Sequence, residues 1–436
     1  MRNTVKFPTN KKEEFKLRLL AWASEKECFC FFYEGNRENQ TENYEGFKII
    51  AGIGLISELQ SVLEKDFVML ENYIKTERDT LIGFLSYDLK NQTEKLYSEN
   101  PDGIEMPLIH FFQPELLFIF PEINNEIEVG YLPAMQNKEE VISLCNMIDN
   151  ISLENKFEKS KEVFPVCRVS KDEHLENVRK IKAYIQFGDV YELNYCIEFF
   201  AENVEINPVE VYKKLNKISP APFSCFYKVG NKYLICASPE RFLKKEGKKI
   251  IAQPMKGTAK RSNNVEEDRH LKEQLFTNEK ERAENVMIVD LVRNDLSKTA
   301  TPKSVKVDEL FGVYSFPQVH QMVSTISSEM RSDTGIVDVI KSTFPMGSMT
   351  GAPKVKAMEL IEKFETSKRG LFSGAVGYIT PEKDFDFNVV IRSIQYNADK
   401  KYLSFMVGSA ITINSDPEKE YEECLLKAQA LIEALK

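Results

Sequence analysis

The sequence predicts an α+β protein, and three observations carry that expectation. Short apolar, β-branched and aromatic runs at residues 28–33, 81–87, 116–120 and 127–132 read as strands. Residues 232–237 and 249–253 are also β-rich, and Lys244-Lys245-Glu246-Gly247-Lys248-Lys249 between them supplies charged, glycine-containing hairpin chemistry. Helical patterning, with its own start and stop residues, recurs at 172–187, 281–295, 355–364 and 416–435. With 42% hydrophobic and 29% charged residues, the composition is that of a globular protein, so these elements have a core to pack around.

Taken in order, residues 1–150 alternate strand-like runs with polar segments, and 149–161 is polar without a clean period, which reads as a connection. At about 150 residues per domain, 436 residues accommodate two or three domains; the boundaries drawn are 1–150 and 165–436. In 172–187, Leu175, Val178, Ile181 and Ile185 fall near helical spacing, Gly188-Asp189 ends the helix, and a strand follows from Val190. A two-residue turn at Glu246-Gly247 sets Lys245 opposite Lys248, Glu240 opposite Gln253 and Ala237 opposite Lys256. Glu240 and Lys256 then share one end of a hairpin. Residues 281–295 form a helix nearly encircled by apolar residues, expected to be buried on most faces. Residues 388–393 read as an apolar strand containing Arg392. In the last helix Asp416 is the N-cap, Pro417 takes the first helical position, and Tyr421, Leu425, Ala428, Ile432 and Leu435 form the apolar stripe.

Several function classes are excluded. The chain has 58 Lys plus Arg against 67 Asp plus Glu, a net charge of −9, too acidic for a general nucleic-acid binder. The first residues lack the apolar stretch of a secretory signal, and no apolar run approaches the roughly 18 to 20 residues that cross a bilayer. A cytoplasmic protein without a membrane span is expected. Eight cysteines are scattered, with Cys28 and Cys30 the one close pair, so reduced thiols are expected rather than a zinc site or a disulfide framework. Four unclustered histidines offer little to a His-based metal site or a Ser-His-Asp triad. There is no repeat, and no GxGxxG or GxxxxGK[ST] loop. Catalysis is left to carboxylates and lysines.

Lys256 in Pro254-Met255-Lys256-Gly257-Thr258 and Glu240 in Ser238-Pro239-Glu240-Arg241 suit a lysine nucleophile or base beside a proton donor. The same pair equally fits a surface salt bridge. Glu284, within the 281–295 helix, has no evident local partner and is either a buried functional carboxylate or an exposed first-turn residue facing the helix dipole. Asp290 has Arg293 three residues on. Glu420, Glu423 and Lys427 share one strip of the last helix, suited to a hard divalent cation and an anionic group, or simply to a solvated flank. Gly347, Thr350, Gly351 and Lys354 lie just before a helix, where free N–H groups bind anions or merely start the helix. Arg392 needs a carboxylate or phosphate, from a ligand or from the protein itself.

These stretches resemble, in order, the chorismate-utilising enzymes, and within them the aminodeoxychorismate synthase component I family. The matching elements are Gly188-Asp189-Val190-Tyr191, Ser238 to Phe242, Pro254 to Thr258, Arg282-Ala283-Glu284-Asn285, Arg293 to Leu296, Thr350 to Lys354, Gly374 to Tyr378, Ile391-Arg392, and Glu420 to Glu423 with Lys427. Lys256 carries the likeness to aminodeoxychorismate synthases, since anthranilate synthases have alanine there. Isochorismate and salicylate synthases carry a lysine base where this chain has Glu192, which argues against water as nucleophile. The resemblance implies a large two-layer antiparallel β-sheet sandwich flanked by helices. It implies amination of chorismate to 4-amino-4-deoxychorismate through a covalent lysine intermediate, for 4-aminobenzoate and folate biosynthesis. Lys256 would be the nucleophile and Glu240 the general acid. Mg²⁺ would be held by Glu284 and Glu423 with Glu420, and substrate by Arg392, Tyr378, Gly408, Lys427, Thr350 and Thr258. Ammonia would come from a glutamine amidotransferase subunit. Gln321 stands where relatives have histidine, with His320 one residue off register; Met346 and Gly408-Ser409-Ala410 also depart from the pattern. The alternatives are an anthranilate synthase component I and a non-catalytic chorismate-binding subunit.

Overall fold

A computed structural model describes residues 2–25, 29–36, 49–61, 65–121, 125–154, 161–316 and 319–436. Cys28 and residues 155–160 of the expected connection lie outside them. Among the described residues, a twelve-stranded and a ten-stranded antiparallel sheet face each other, so the fold is an α+β sandwich flanked by helices. Both sheets mix early and late chain: Cys30–Glu34 pairs with Phe223–Val229 in the first, and Leu81–Leu85 with Ala375–Ile379 in the second. Between the sheets lies an apolar layer that includes Phe31, Tyr33, Tyr227 and Phe223 from one side and Ile82, Phe84, Val376 and Tyr378 from the other. Strand alternation turns the opposite residues outward. There Phe32 and Ile197 meet helices such as Lys12–Ser24, Lys171–Phe187 and Pro417–Ala434, while Phe111 and Phe387 meet Asp66–Thr76, Glu279–Ser297 and Ile336–Thr343. No helix among the described residues is long and apolar enough to cross a membrane.

The structure corrects four sequence expectations. Lys232–Ser238 does not pair with Lys249–Gln253: it lies in the first sheet against Phe223–Val229, and the hairpin is Arg241–Glu246 with Lys249–Gln253 in the second. Its turn is Gly247-Lys248, where Gly247 takes the left-handed conformation (φ 57°), and a register slip between Arg241 and Lys244 then sets Arg241 rather than Glu240 opposite Gln253. Second, residues 388–393 are not one strand: Phe385–Val389 belongs to the second sheet and Ser393–Asn397 to the first. Arg392 sits in the crossover, itself left-handed at φ 51°. Third, Glu279–Ser297 buries one face, through Glu284, Asn285, Ile288, Val289, Asp295 and Leu296, and leaves Val286 and Asp290 exposed. Fourth, Pro417–Ala434 also buries Glu420, Cys424, Leu431 and Ala434; of the expected stripe Ala428 and Leu435 are buried, Tyr421 and Ile432 are half-buried against the core, and Leu425 is exposed. Small Cys424 and Ala428 let this helix approach the sheet closely.

Other expectations hold in place. Gly188 (φ 87°) closes Lys171–Phe187 as expected, and Ser170, not foreseen, caps its start. Asp416 caps the last helix through the Lys419 N–H at 3.1 Å, with Pro417 first. Arg293 donates to Asp290 at 2.6 Å.

Candidate active site

Two crossovers between the sheets lie side by side. Pro239-Glu240 joins Lys232–Ser238 to Arg241–Glu246, and residues 390–392 join Phe385–Val389 to Ser393–Asn397. The Val389 N–H donates to the Glu240 carbonyl and the Ala237 N–H to the Arg392 carbonyl, each at 3.0 Å. Arg241 clamps this corner with a two-pronged bond to Asp386 (2.9 and 3.1 Å) and a third to Gln253 at 2.5 Å. Glu240 and Arg392 are therefore fixed by backbone, not by loop chance.

Lys256 is aimed by a β-bulge. In Met255–Lys260 the register against Val319–Glu329 slips between Met255 and Thr258, and Gly257 in the slip has φ 79°. Gln321 holds the bulge, donating to the Gly257 carbonyl at 2.8 Å and accepting from the Thr258 hydroxyl at 3.0 Å. Gln321 thus supports the lysine strand. His320 points elsewhere, to Ser315 and Asp268 at 2.9 and 3.0 Å.

The lysine is buried and is no surface ion pair. Its ammonium bonds Glu192, which is 1% exposed and whose other oxygen, Oε2, has no hydrogen-bond partner. Burial works against the charge on Lys256, but Glu192, Glu284 and Glu240 together outweigh it and hold the ammonium above its ordinary value. Glu240, also buried, accepts from the Ser348 hydroxyl at 2.6 Å. Burial pushes its carboxyl up to about 7, against the opposing pull of Ser348, Lys256 and the Met255 N–H. A carboxyl in that range is suited to donate a proton near neutrality.

Glu284 is buried, with Oε1 lacking a hydrogen bond. Burial pushes it up to about 7; Lys256 pulls the other way and Glu192 and Glu281 add to the rise. Lys280 Nζ lies 3.7 Å from Glu284 and 3.9 Å from Glu420, so two carboxylates converge on one cation. Glu423 instead pairs with Lys427 at 2.6 Å; burial raises its carboxyl, but Lys427, with Lys280 and Lys256 beyond, brings it below the ordinary range. Among the described residues no three His, Cys, Asp or Glu side chains form a ready metal cage. The donor set still fits a hard divalent cation: carboxylate oxygens, one of them buried without a hydrogen bond, around a position already held by a positive charge.

Lys427 also donates to the Gly408 carbonyl at 2.8 Å, and Arg392 to the Lys427 carbonyl at 3.5 Å. No carboxylate of the described residues lies within ion-pair distance of Arg392. At Gly408 a Cβ would lie 2.5 Å from Cys196 Sγ, so only glycine lets the two strands close here.

The structure thus gathers Lys256, Glu240, Glu284, Glu420, Glu423, Lys427, Gly408 and Arg392. The remaining three differ. Thr350 is fully buried and its hydroxyl bonds its own loop, at the Met346 and Gly347 carbonyls. Thr258 is committed to Gln321. Tyr378 lies in the apolar layer between the sheets, edge-on to Tyr33 at 6.3 Å. Sequence reasoning missed Ser348, Lys280 and the contact of Glu192 with Lys256; the available signal for Glu192 was its place directly after Gly188 to Tyr191, as a charge opening an apolar strand.

The profile of the chorismate binding enzymes matches residues 20–433. The chain is 34% identical to aminodeoxychorismate synthase component 1 of Bacillus subtilis over 364 residues, 81% of this chain and 76% of that one. It is 44% identical over 268 residues to a probable chloroplastic aminodeoxychorismate synthase of rice, 61% of this chain but only 30% of that longer protein. Among solved structures, anthranilate synthase component I from Streptococcus pneumoniae superposes with a TM-score of 0.79 at 25% identity, covering 92% of this chain and 95% of the other.

Proposed function

The chain belongs to the chorismate binding enzymes, and on that premise we propose that it is an aminodeoxychorismate synthase component I, converting chorismate and ammonia to 4-amino-4-deoxychorismate. The observation that carries this reading is Lys256, a buried amine facing Glu192, Glu240 and Glu284 in a chorismate-binding fold. Arg392, with no carboxylate of the described residues at ion-pair distance, receives one substrate carboxylate together with backbone near Gly408, and Lys427 adds positive charge beside it. Glu284, Glu420 and Glu423 would hold Mg²⁺, which supplies an anchor for the second carboxylate and polarises the ring when bound. Lys256 attacks C2, the ring electrons shift, and the C4 oxygen leaves as water with the proton of Glu240. Ammonia then adds at C4 and the Lys256 amine departs from C2. Two covalent steps replace one difficult substitution. A glutamine amidotransferase partner supplies the ammonia, and the product feeds 4-aminobenzoate and folate synthesis in the cytoplasm.

Anthranilate synthesis is the second reading, favoured by the likeness to the Streptococcus structure. It requires the new nitrogen at C2, where the Lys256 amine enters in the mechanism above. The purified chain with chorismate, Mg²⁺ and ammonium chloride, followed by an added aminodeoxychorismate lyase, is expected to yield 4-aminobenzoate. Fluorescent anthranilate, formed without the lyase, would replace the first reading with the second.

A further inference from the structure

Lys256 begins as an ammonium, and an ammonium has no electron pair with which to attack carbon. Something beside it must take a proton, and three carboxylates surround it. Glu240 is committed to Ser348 and is needed as the acid at C4. Glu284 shares Lys280 with Glu420 on the cation side of the site. Among the described residues Glu192 alone is hydrogen-bonded to the Lys256 ammonium. It opens the strand Glu192–Ala201, paired to Gly351-Ala352 on one side, with Ser409 and Ala410 facing the residues that follow on the other. Its other oxygen is buried and accepts from no donor among the described residues, so a proton placed on this carboxyl breaks no other hydrogen bond among them.

We propose that Glu192 is the catalytic base that activates Lys256, an inference that rests on the covalent-lysine reading above. The N–H bond pointing at Glu192 Oε1 breaks, its proton passes to the carboxylate, and the electron pair left on nitrogen forms the bond to C2. When ammonia expels the lysine, the amine leaves carrying that pair, and Glu192 returns the proton to restore the resting ion pair. No oxidant, reductant or further reactant is involved. The geometry also gives Glu192 a resting role, since a fixed partner keeps the amine on the substrate side of the bulge.

The test compares steady-state chorismate amination, with Mg²⁺ and ammonium, across four variants. Glu192→Gln keeps size and hydrogen bonding but cannot take the proton, and is expected to be about a hundredfold or more slower than wild type. Glu192→Ala leaves a cavity the size of a small carboxylic acid, and sodium formate is expected to restore part of its rate while leaving Glu192→Gln, whose side chain fills the space, unchanged. Glu192→Asp, retaining a carboxylate, is expected to fall between wild type and Glu192→Gln, which separates loss of the base from loss of the fold. Lys256→Ala is the control. If it aminates chorismate at the wild-type rate, the covalent-lysine reading falls and this inference with it. If Lys256→Ala is inactive while Glu192→Gln matches wild type, or formate helps both Glu192→Gln and Glu192→Ala alike, the role of Glu192 alone is overturned.

Discussion

The proposed proton chemistry turns on two buried carboxyls with different surroundings. Glu240 is buried beside the Ser348 hydroxyl, the Met255 N–H and Lys256, with burial the largest influence, which leaves it near 7; Glu192 has an ammonium hydrogen-bonded to it. Glu240→Gln keeps the Ser348 contact but cannot protonate the leaving oxygen, so kcat is expected to fall by about 10²- to 10⁴-fold in the lyase-coupled assay. In the proposed mechanism the acid form of Glu240 is the active one, so kcat/KM should decline as pH rises through about 7. The Ser348 bond favours the charged carboxylate, and its removal therefore raises the Glu240 value. In Ser348→Ala the alkaline limb of kcat/KM should move to higher pH; a limb that stays fixed would detach Glu240 from that step. The Glu192–Lys256 and Ser348–Glu240 contacts were not legible from spacing. Glu192 and Lys256 are 64 positions apart, and Ser348 is 108 from Glu240, so only the packed sheets reveal the contacts.

At the scale of the element, patterning located strands and helices but not their partners. Lys232–Ser238 was correctly a strand, yet its alternating residues fit either sheet, and the choice was made by Pro239 and Glu240 carrying the chain across. The last helix shows the same limit: apolar Leu425 and small Cys424 compete for the buried side, and close packing selects the smaller. Gly351 marks where two elements meet at the site. Its φ of 145° and a would-be Cβ 2.1 Å from the Glu192 carbonyl predict that Gly351→Ala costs at least about 1–3 kcal/mol in denaturant unfolding and displaces Glu192. In the helix Lys171–Phe187, His174 is fully buried between Tyr195 and Tyr421 with neither ring nitrogen hydrogen-bonded. Burial pushes it down to about 4, below its unfolded value of 6.5. Above pH 6.5 it is neutral in both states and its contribution is complete. As pH falls from 6.5 toward 4 the unfolded chain binds the proton first, and stability drops by about 2 kcal/mol at pH 5. His174→Phe should show a smaller fall in melting temperature between pH 7 and pH 5 than wild type.

For the whole molecule, the net charge of −9 offers a dianionic substrate no general attraction, so recognition is local. Lys256, Lys427, Lys280 and Arg392 are drawn to one end of the sandwich, where both crossovers and the last helix meet, and acidic residues face them. The order of motifs along residues 165–436 made this site readable at the level of family, while the first 150 residues, which supply strands to both sheets, gave only local patterns. With glutamine in place of ammonium and no added partner, the purified chain is expected to form no product; glutamine-dependent turnover would give it a second activity. The covalent role of Lys256 is the central claim, and intact-protein mass spectrometry reads it most directly. Wild type incubated with chorismate and Mg²⁺ but without ammonia should gain the mass of chorismate less water, map to the Lys256 peptide, and lose it when ammonium is added. An unmodified chain under conditions where ammonium supports amination would contradict it.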